Sequence, residues 1–205
     1  VILEQFADLR EERELASHGK DRGRPGMLLW HNMNRAYSQS AAGYLNESNW
    51  SSDLTDVYYK NRNFESPSQV TYMESHDEQW LMYRNRAYGV GAGAYDIRRL
   101  PVALDRMKLA GAFFLTIPGP KMLWQFGELG YGYGRDGEEC LRPFDGLGEC
   151  PPIAPPKLDR KPIRWEYASD PLRRKLYRTW SELLRLRKDH PVFRSPDTEV
   201  TMNVG

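Results

Sequence analysis

The chain has 205 residues, 40% of them hydrophobic, which is enough for one ordinary domain with a real core and too apolar for a disordered segment. Twenty-nine basic residues stand against 28 acidic ones, a net of +1, so no field of one sign is available to gather nucleic acid or an anionic membrane. The longest apolar stretch, Leu109 to Ile117, is too short to cross a bilayer and stops at Pro118.

Val1-Ile-Leu-Glu-Gln-Phe6 is a short apolar run without polar alternation, as expected of a strand buried on both faces. Glu11 to His18 follows as a charged, helix-prone stretch, and Met27-Leu-Leu-Trp30 is a second apolar run. Asn32 to Leu45 and Asp53 to Asn61 read as helical or mixed, and Gln69-Val-Thr-Tyr-Met73 as a third strand. A long helix is predicted over Pro101 to Leu115, with Leu104, Met107, Leu109, Ala110, Phe113 and Phe114 forming a broad apolar face. It stops before the breaker cluster Pro118-Gly-Pro120, after which Lys121-Met-Leu-Trp-Gln-Phe126 is a fourth strand. Gly127 to Pro156 reads as a long loop. Pro171 to Arg187 closes the series as a helix with Leu172, Leu176, Leu183, Leu184 and Leu186 inward. The pairs Arg98-Arg99 and Arg173-Arg174 read as solvated faces.

Strand and helix thus alternate four times, with crossovers long enough for parallel strands. That is half of an eight-unit barrel or a small open α/β sheet. The chain opens inside a hydrophobic element and closes on Glu199 to Gly205, a strand pattern just starting, so both ends read as cut from something longer. Cys140 and Cys150 flank a Gly-rich segment; a bridge between them would suit an oxidising compartment, against the alternative of two free thiols. Two cysteines with no nearby His supply too few ligands for zinc. The glycine runs at Gly89 to Gly93 and Gly130 to Gly134 lack the strand–turn–helix setting of a dinucleotide site. The triplets Asn46-Glu-Ser48 and Asn49-Trp-Ser51 match a glycosylation pattern that is common by chance.

Polar residues gather where the four strands end: Glu4 after the first, Glu74-Ser-His76-Asp77-Glu78 after the third, Gln125 and Glu128 after the fourth. In a (β/α) barrel those ends share one face, where active sites are assembled. Two carboxyls there suit glycoside hydrolysis, one giving a proton to the leaving oxygen and another stabilising charge on the sugar ring. Taken singly, each has a plainer reading. Glu4 suits a surface ion pair, Asp77 a helix cap in a box with Ser75 and Glu78, Glu128 a loop carboxylate, and His31 a hydrogen-bonded strand-end histidine. Of the aromatics, Trp124 reads as core, while the loop tyrosines Tyr131 and Tyr133 are the better candidates for sugar contact.

Three segments together resemble the α-amylase superfamily, glycoside hydrolase family 13. Val1-Ile-Leu-Glu4-Gln-Phe resembles its fifth-strand motif, Tyr72-Met-Glu-Ser-His76-Asp77 its seventh, and Thr116 to Gly130, with Gln125 and Glu128, its eighth. Asp189-His-Pro-Val-Phe193 continues the match into the junction with a C-terminal β domain. The resemblance implies strands 5 to 8 of a (β/α)8 barrel over residues 1–190 and the start of a β domain over 191–205. It implies Glu4 as general acid/base, Asp77 as transition-state stabiliser, and His76, Gln125 and Glu128 as substrate contacts. Glu74 stands where an Asn is usual, and Phe126 interrupts the usual Gln-Gly pair. The family's nucleophile, an Asp on the fourth strand, would precede Val1, so the chain alone is expected to be inert.

The implied substrate is an α-glucan or maltooligosaccharide, with no cofactor and no metal ligands, calcium dependence being left open. Extracellular or periplasmic placement is favoured over cytoplasmic. Association through open barrel edges is also expected. A transglycosylase of the same superfamily and a non-catalytic sugar- or partner-binding barrel are the alternatives.

Overall fold

A computed structural model describes residues 1–47, 50–132 and 163–202. Its centre is a four-stranded, wholly parallel sheet in the order β1 (Ile2–Leu3), β2 (Leu28–Asn32), β5 (Gln69–Tyr72), β8 (Lys121–Met122). Between them run α1 (Leu9–Ser17), α2 (Asn34–Ala42), the small pair β3 (Asn46–Glu47) and β4 (Trp50–Ser51), α3 (Leu81–Tyr88), the hairpin β6 (Gly91–Ala92) and β7 (Tyr95–Asp96), and α4 (Leu100–Leu115). α5 (Pro171–Asp189) follows β8. The fold class is therefore mixed α/β built on a parallel sheet, as the alternation of elements implied. Among the described residues no helix is long and apolar enough to cross a membrane.

Local chemistry sets the element ends. α1 starts two residues earlier than its charge pattern suggests, because the Asp8 carboxylate accepts the Arg10 and Glu11 amides at 2.9 and 3.0 Å. α2 stops at Gly43, whose φ of 89° is left-handed, so the helix does not reach Leu45. The 53–61 region is a pair of 3-10 turns, Thr55–Val57 and Tyr59–Arg62. The end strands are shorter than their apolar runs. β1 has a neighbour on one side only, and β8 ends where the chain folds into a turn, with Gly127 N–H donating to Trp124 O and Phe126 at a φ of 55°. Glu199 to Met202 form no strand, and the residues just before them lie against the turn at Tyr58–Tyr59, whose hydroxyls donate to Thr198 O and Pro196 O.

The register sorts the strand residues onto two faces. Leu3, Leu29 and Met73 lie on the side packed by the helices, where the main core gathers Tyr37, Leu104, Met107, Phe114, Leu176 and Trp180. Ile2, Leu28, Trp30 and Tyr72 alternate to the other side, and Ile2 there is 57% exposed. In the helix layer α2 packs on α3 and α4, and α4 on α5. α4 and α5 approach closely at Gly111, where an added Cβ would overlap the indole of Trp180; that indole donates from Nε1 to Met107 O at 3.0 Å.

Several inward assignments need correction. At about 100° per residue, Leu109 and Phe113 fall opposite the stripe of Leu104, Met107, Gly111 and Phe114, and they are 45% and 52% exposed. Leu184 and Leu186 flank the inner stripe of α5 and are also exposed. That stripe is completed by Trp180 and by two arginines. Arg173 is buried rather than solvated: its guanidinium stacks 3.6 Å from the Tyr167 ring and donates to Leu129 O and Gly130 O. Arg187 donates to Leu115 O, Ile117 O, Phe193 O and Gly119 O, tying α5 to the turn before β8. The Cys140–Cys150 pair and Tyr133 lie outside the described residues.

Candidate functional site

Because all four strands run the same way, their carboxyl ends open onto one edge of the sheet. Glu4 leaves β1 there, and the segment 73–79 leaves β5. The two meet at His76, whose Nε2 lies 3.8 Å from Glu4 Oε1 and 3.6 Å from Asp77 Oδ1. One donor atom from each of Glu4, His76 and Asp77 falls within 4.8 Å of the others. All three stay reachable from solvent, at 42%, 45% and 36% side-chain exposure. Among the described residues this is also the group whose donor atoms are close enough to hold a metal ion.

Two indoles frame the imidazole. Trp30, in the middle of β2, stands edge-on to Tyr72 at 5.2 Å and lies 6.0 Å from His76; Trp124, beyond β8, lies 6.0 Å from His76 on a tilted approach. Trp124 is only partly buried, so its ring bridges the small aromatic cluster of Trp80, Phe126, Leu129, Tyr131 and Tyr167 and the site. Tyr131 is 1% exposed inside that cluster, which removes it as a sugar contact. Gln125 is exposed three residues past β8. Glu128 sits half-buried in the 3-10 turn Gly127–Leu129, where its charge bears on Glu74. Neither belongs to the Glu4–His76–Asp77 group.

The loop that carries His76 and Asp77 is fastened from several directions. Ser75 Oγ donates to Glu78 and accepts the Asp77 amide at 3.2 Å, and Trp80 Nε1 donates to Ser75 O at 3.0 Å. Asn32, the last residue of β2, donates to the other oxygen of Glu78. The buried amide of Asn34 donates to Met73 O at 2.8 Å and to Gln79 O at 2.9 Å. Asp77 is not the cap of α3. The Leu81 amide at that helix start is taken by Glu74 Oε1 at 2.8 Å, seven residues back in the chain. Glu74 is thereby buried under the loop, its other oxygen 2.8 Å from where a Cβ on Gly127 would stand. Burial, with the Glu128 and Glu78 charges, pushes its carboxyl up to about 7 despite the Leu81 N–H.

His31 is held on the helix-facing side of the sheet. Arg62, always a donor, gives its Nη1 proton to His31 Nδ1 at 3.0 Å, so Nε2 carries the ring proton and donates to Asp56 O at 3.0 Å. Burial and the Arg62 charge hold this imidazole down to about 3, and it stays neutral. Arg62 in turn pairs with Glu12 at 2.8 Å. The plainer reading of His31 as a hydrogen-bonded strand-end residue describes it.

Beside Asp77 opens a polar cavity of about 430 Å³ walled by Asn32, Arg35, Gln79 and Arg84. These residues escaped the sequence reading, as did Asn34. The available signal was the Asn32-Met-Asn34 sequence at a strand end, two short amides where the chain turns into a helix.

No family model matches the chain, and no curated protein matches it.

Proposed function

We propose that this chain is part of a retaining, α-glucan-active glycoside hydrolase of the α-amylase type. In this reading β1, β2, β5 and β8 are strands 5 to 8 of a (β/α)8 barrel. The observation that carries it is the convergence of Glu4, His76 and Asp77 from two separate strand ends onto one solvent-open point between two indoles. Parallel strands in sequential order, with the main core on one face of the sheet, support the barrel over a doubly wound sheet.

Glu4 then protonates the leaving glycosidic oxygen and later takes the proton back from water. Asp77 stays ionised and stabilises the oxocarbenium-like ring, and His76 donates to a ring hydroxyl. The indoles of Trp30 and Trp124 offer faces for an apolar sugar surface, and Gln125 and Glu128 are the outer contacts. The nucleophile is the Asp that the resemblance assigns to the preceding strand.

The test is hydrolysis of a chromogenic maltooligosaccharide by this chain, by the full reading frame that encodes it, and by a Glu4→Gln variant of the latter. Expected are an active full-length protein, an inert chain, and a loss of about 10²–10⁴-fold in the variant. Sugar binding without turnover in every form would move the reading to a binding barrel. Turnover by the chain alone would refute the external nucleophile. Transfer to a second sugar in place of water would make it a transglycosylase.

A further inference from the structure

We infer that Asn34 is a positioning residue for the His76–Asp77 pair, an inference that rests on the proposed glycosidase reading for its kinetic readout. Asn34 is the first residue of α2 and belongs to a different strand–helix unit from the loop it serves. The residue is 4% exposed, and both protons of its side-chain amide nitrogen are spent on that loop. One goes to Met73 O, at the point where the chain leaves β5, and the other to Gln79 O, just before α3 begins. The two carbonyls lie six positions apart, so one NH2 group closes the base of a loop with His76 and Asp77 at its tip.

A second strand of contacts comes from the same turn. The Asn34 backbone amide donates to Asn32 Oδ1 at 2.9 Å, leaving the Asn32 amide to face Glu78. Glu78 then receives Ser75 Oγ, and Ser75 Oγ receives the amide of Asp77. The chain of bonds therefore runs from Asn34 to the backbone of Asp77 without a break.

The chemistry demands an amide at position 34. An Asp of the same shape has no proton to give and would set a carboxylate against two carbonyl oxygens. A Ser can reach at most one of them. With the base opened, His76 and Asp77 lose their spacing to Glu4, and a displacement of about 1 Å at reacting groups costs on the order of 10²-fold in rate.

The experiment uses the full reading frame with Asn34→Asp, Asn34→Ser and, as a control on the function itself, Glu4→Gln. Thermal unfolding defines a temperature at which each variant is folded, and kcat and KM for a chromogenic maltooligosaccharide are measured below it. Imidazole resonances of His76 are recorded on the same samples. Expected is a fall in kcat of about 100-fold for Asn34→Asp and at least tenfold for Asn34→Ser. KM should change by less than about threefold, and the His76 resonances should move in both variants. If Asn34→Asp does not fold, Asn34→Ser carries the test alone. Unchanged kcat and unchanged His76 resonances in a folded Asn34→Ser protein overturn the assignment. An undiminished Glu4→Gln variant would instead overturn the glycosidase reading, and the His76 resonances would then decide the role of Asn34 by themselves.

Discussion

Replacing Glu74 by Gln should make the protein more stable in neutral and alkaline solution and leave it nearly unchanged in acid. The carboxyl is fully enclosed, and its proton is held up to about 7 against an ordinary 4.5. Below pH 4.5 the group is neutral folded or unfolded and has no effect on the equilibrium. Between 4.5 and 7 the unfolded chain has released the proton while the folded one retains it, so stability falls as pH rises. Above 7 the folded protein carries a buried charge, and the loss is complete. At about 1.4 kcal/mol per tenfold in proton affinity, the change from pH 5 to pH 8 is roughly 2 to 3 kcal/mol. Gln keeps an oxygen for the Leu81 amide and cannot ionise, so it removes this dependence without opening the helix start. Urea unfolding of both proteins at pH 5 and pH 8 reads the effect directly. With a denaturant slope of about 2 kcal/mol per molar, the midpoints should separate by about 1 M more at pH 8 than at pH 5. Midpoints that move in parallel across this range would show that Glu74 does not titrate in its enclosed position, and the account of its burial would fail.

Two further perturbations test the packing. Arg187→Met keeps the aliphatic stem but takes the guanidinium from the carbonyls of Leu115, Ile117 and Phe193, and leaves Gly119 O to Lys121 Nζ alone; a loss of about 3 kcal/mol is expected in urea unfolding, and a loss under about 1 kcal/mol would show those carbonyls to be hydrated. Gly111→Ala drives a methyl into the Trp180 indole at the α4–α5 contact, which should cost about 1–3 kcal/mol and shift Trp fluorescence. A variant as stable as the parent would mean that the helices separate freely.

The order of the main strands and the two longest helices was legible in the sequence because each rests on a local signal. Continuous apolar runs marked the strands, and Pro101 and Pro171 marked helix starts within a residue of where they fall. α3 was hidden for a physical reason: its cap is Glu74, seven residues upstream and reached through the tertiary fold, so no capping residue stands beside the helix. Arg173 was misread as solvated on a similar ground, since a guanidinium pointed at carbonyls looks in sequence like any solvated charge. At the site, Glu4, His76 and Asp77 were visible as polar residues directly after strands, and the parallel register brings them together. Tyr131 was misplaced because a glycine-flanked tyrosine in sequence gives no sign of the Trp80, Phe126 and Tyr167 rings that enclose it.

The grip that Asn34 has on the 73–79 loop falls on main-chain oxygens, which every amino acid supplies. That clamp is indifferent to the identity of Met73 and Gln79, whereas Glu74, Ser75 and Glu78 fasten the loop through their own side chains. The tip positions His76 and Asp77 can therefore be exchanged while Glu74, Ser75 and Glu78 keep their bonds. A scaffold of this kind lets new specificities be sampled while the loop keeps its shape, and it makes positions 76 and 77 the natural place to begin a library.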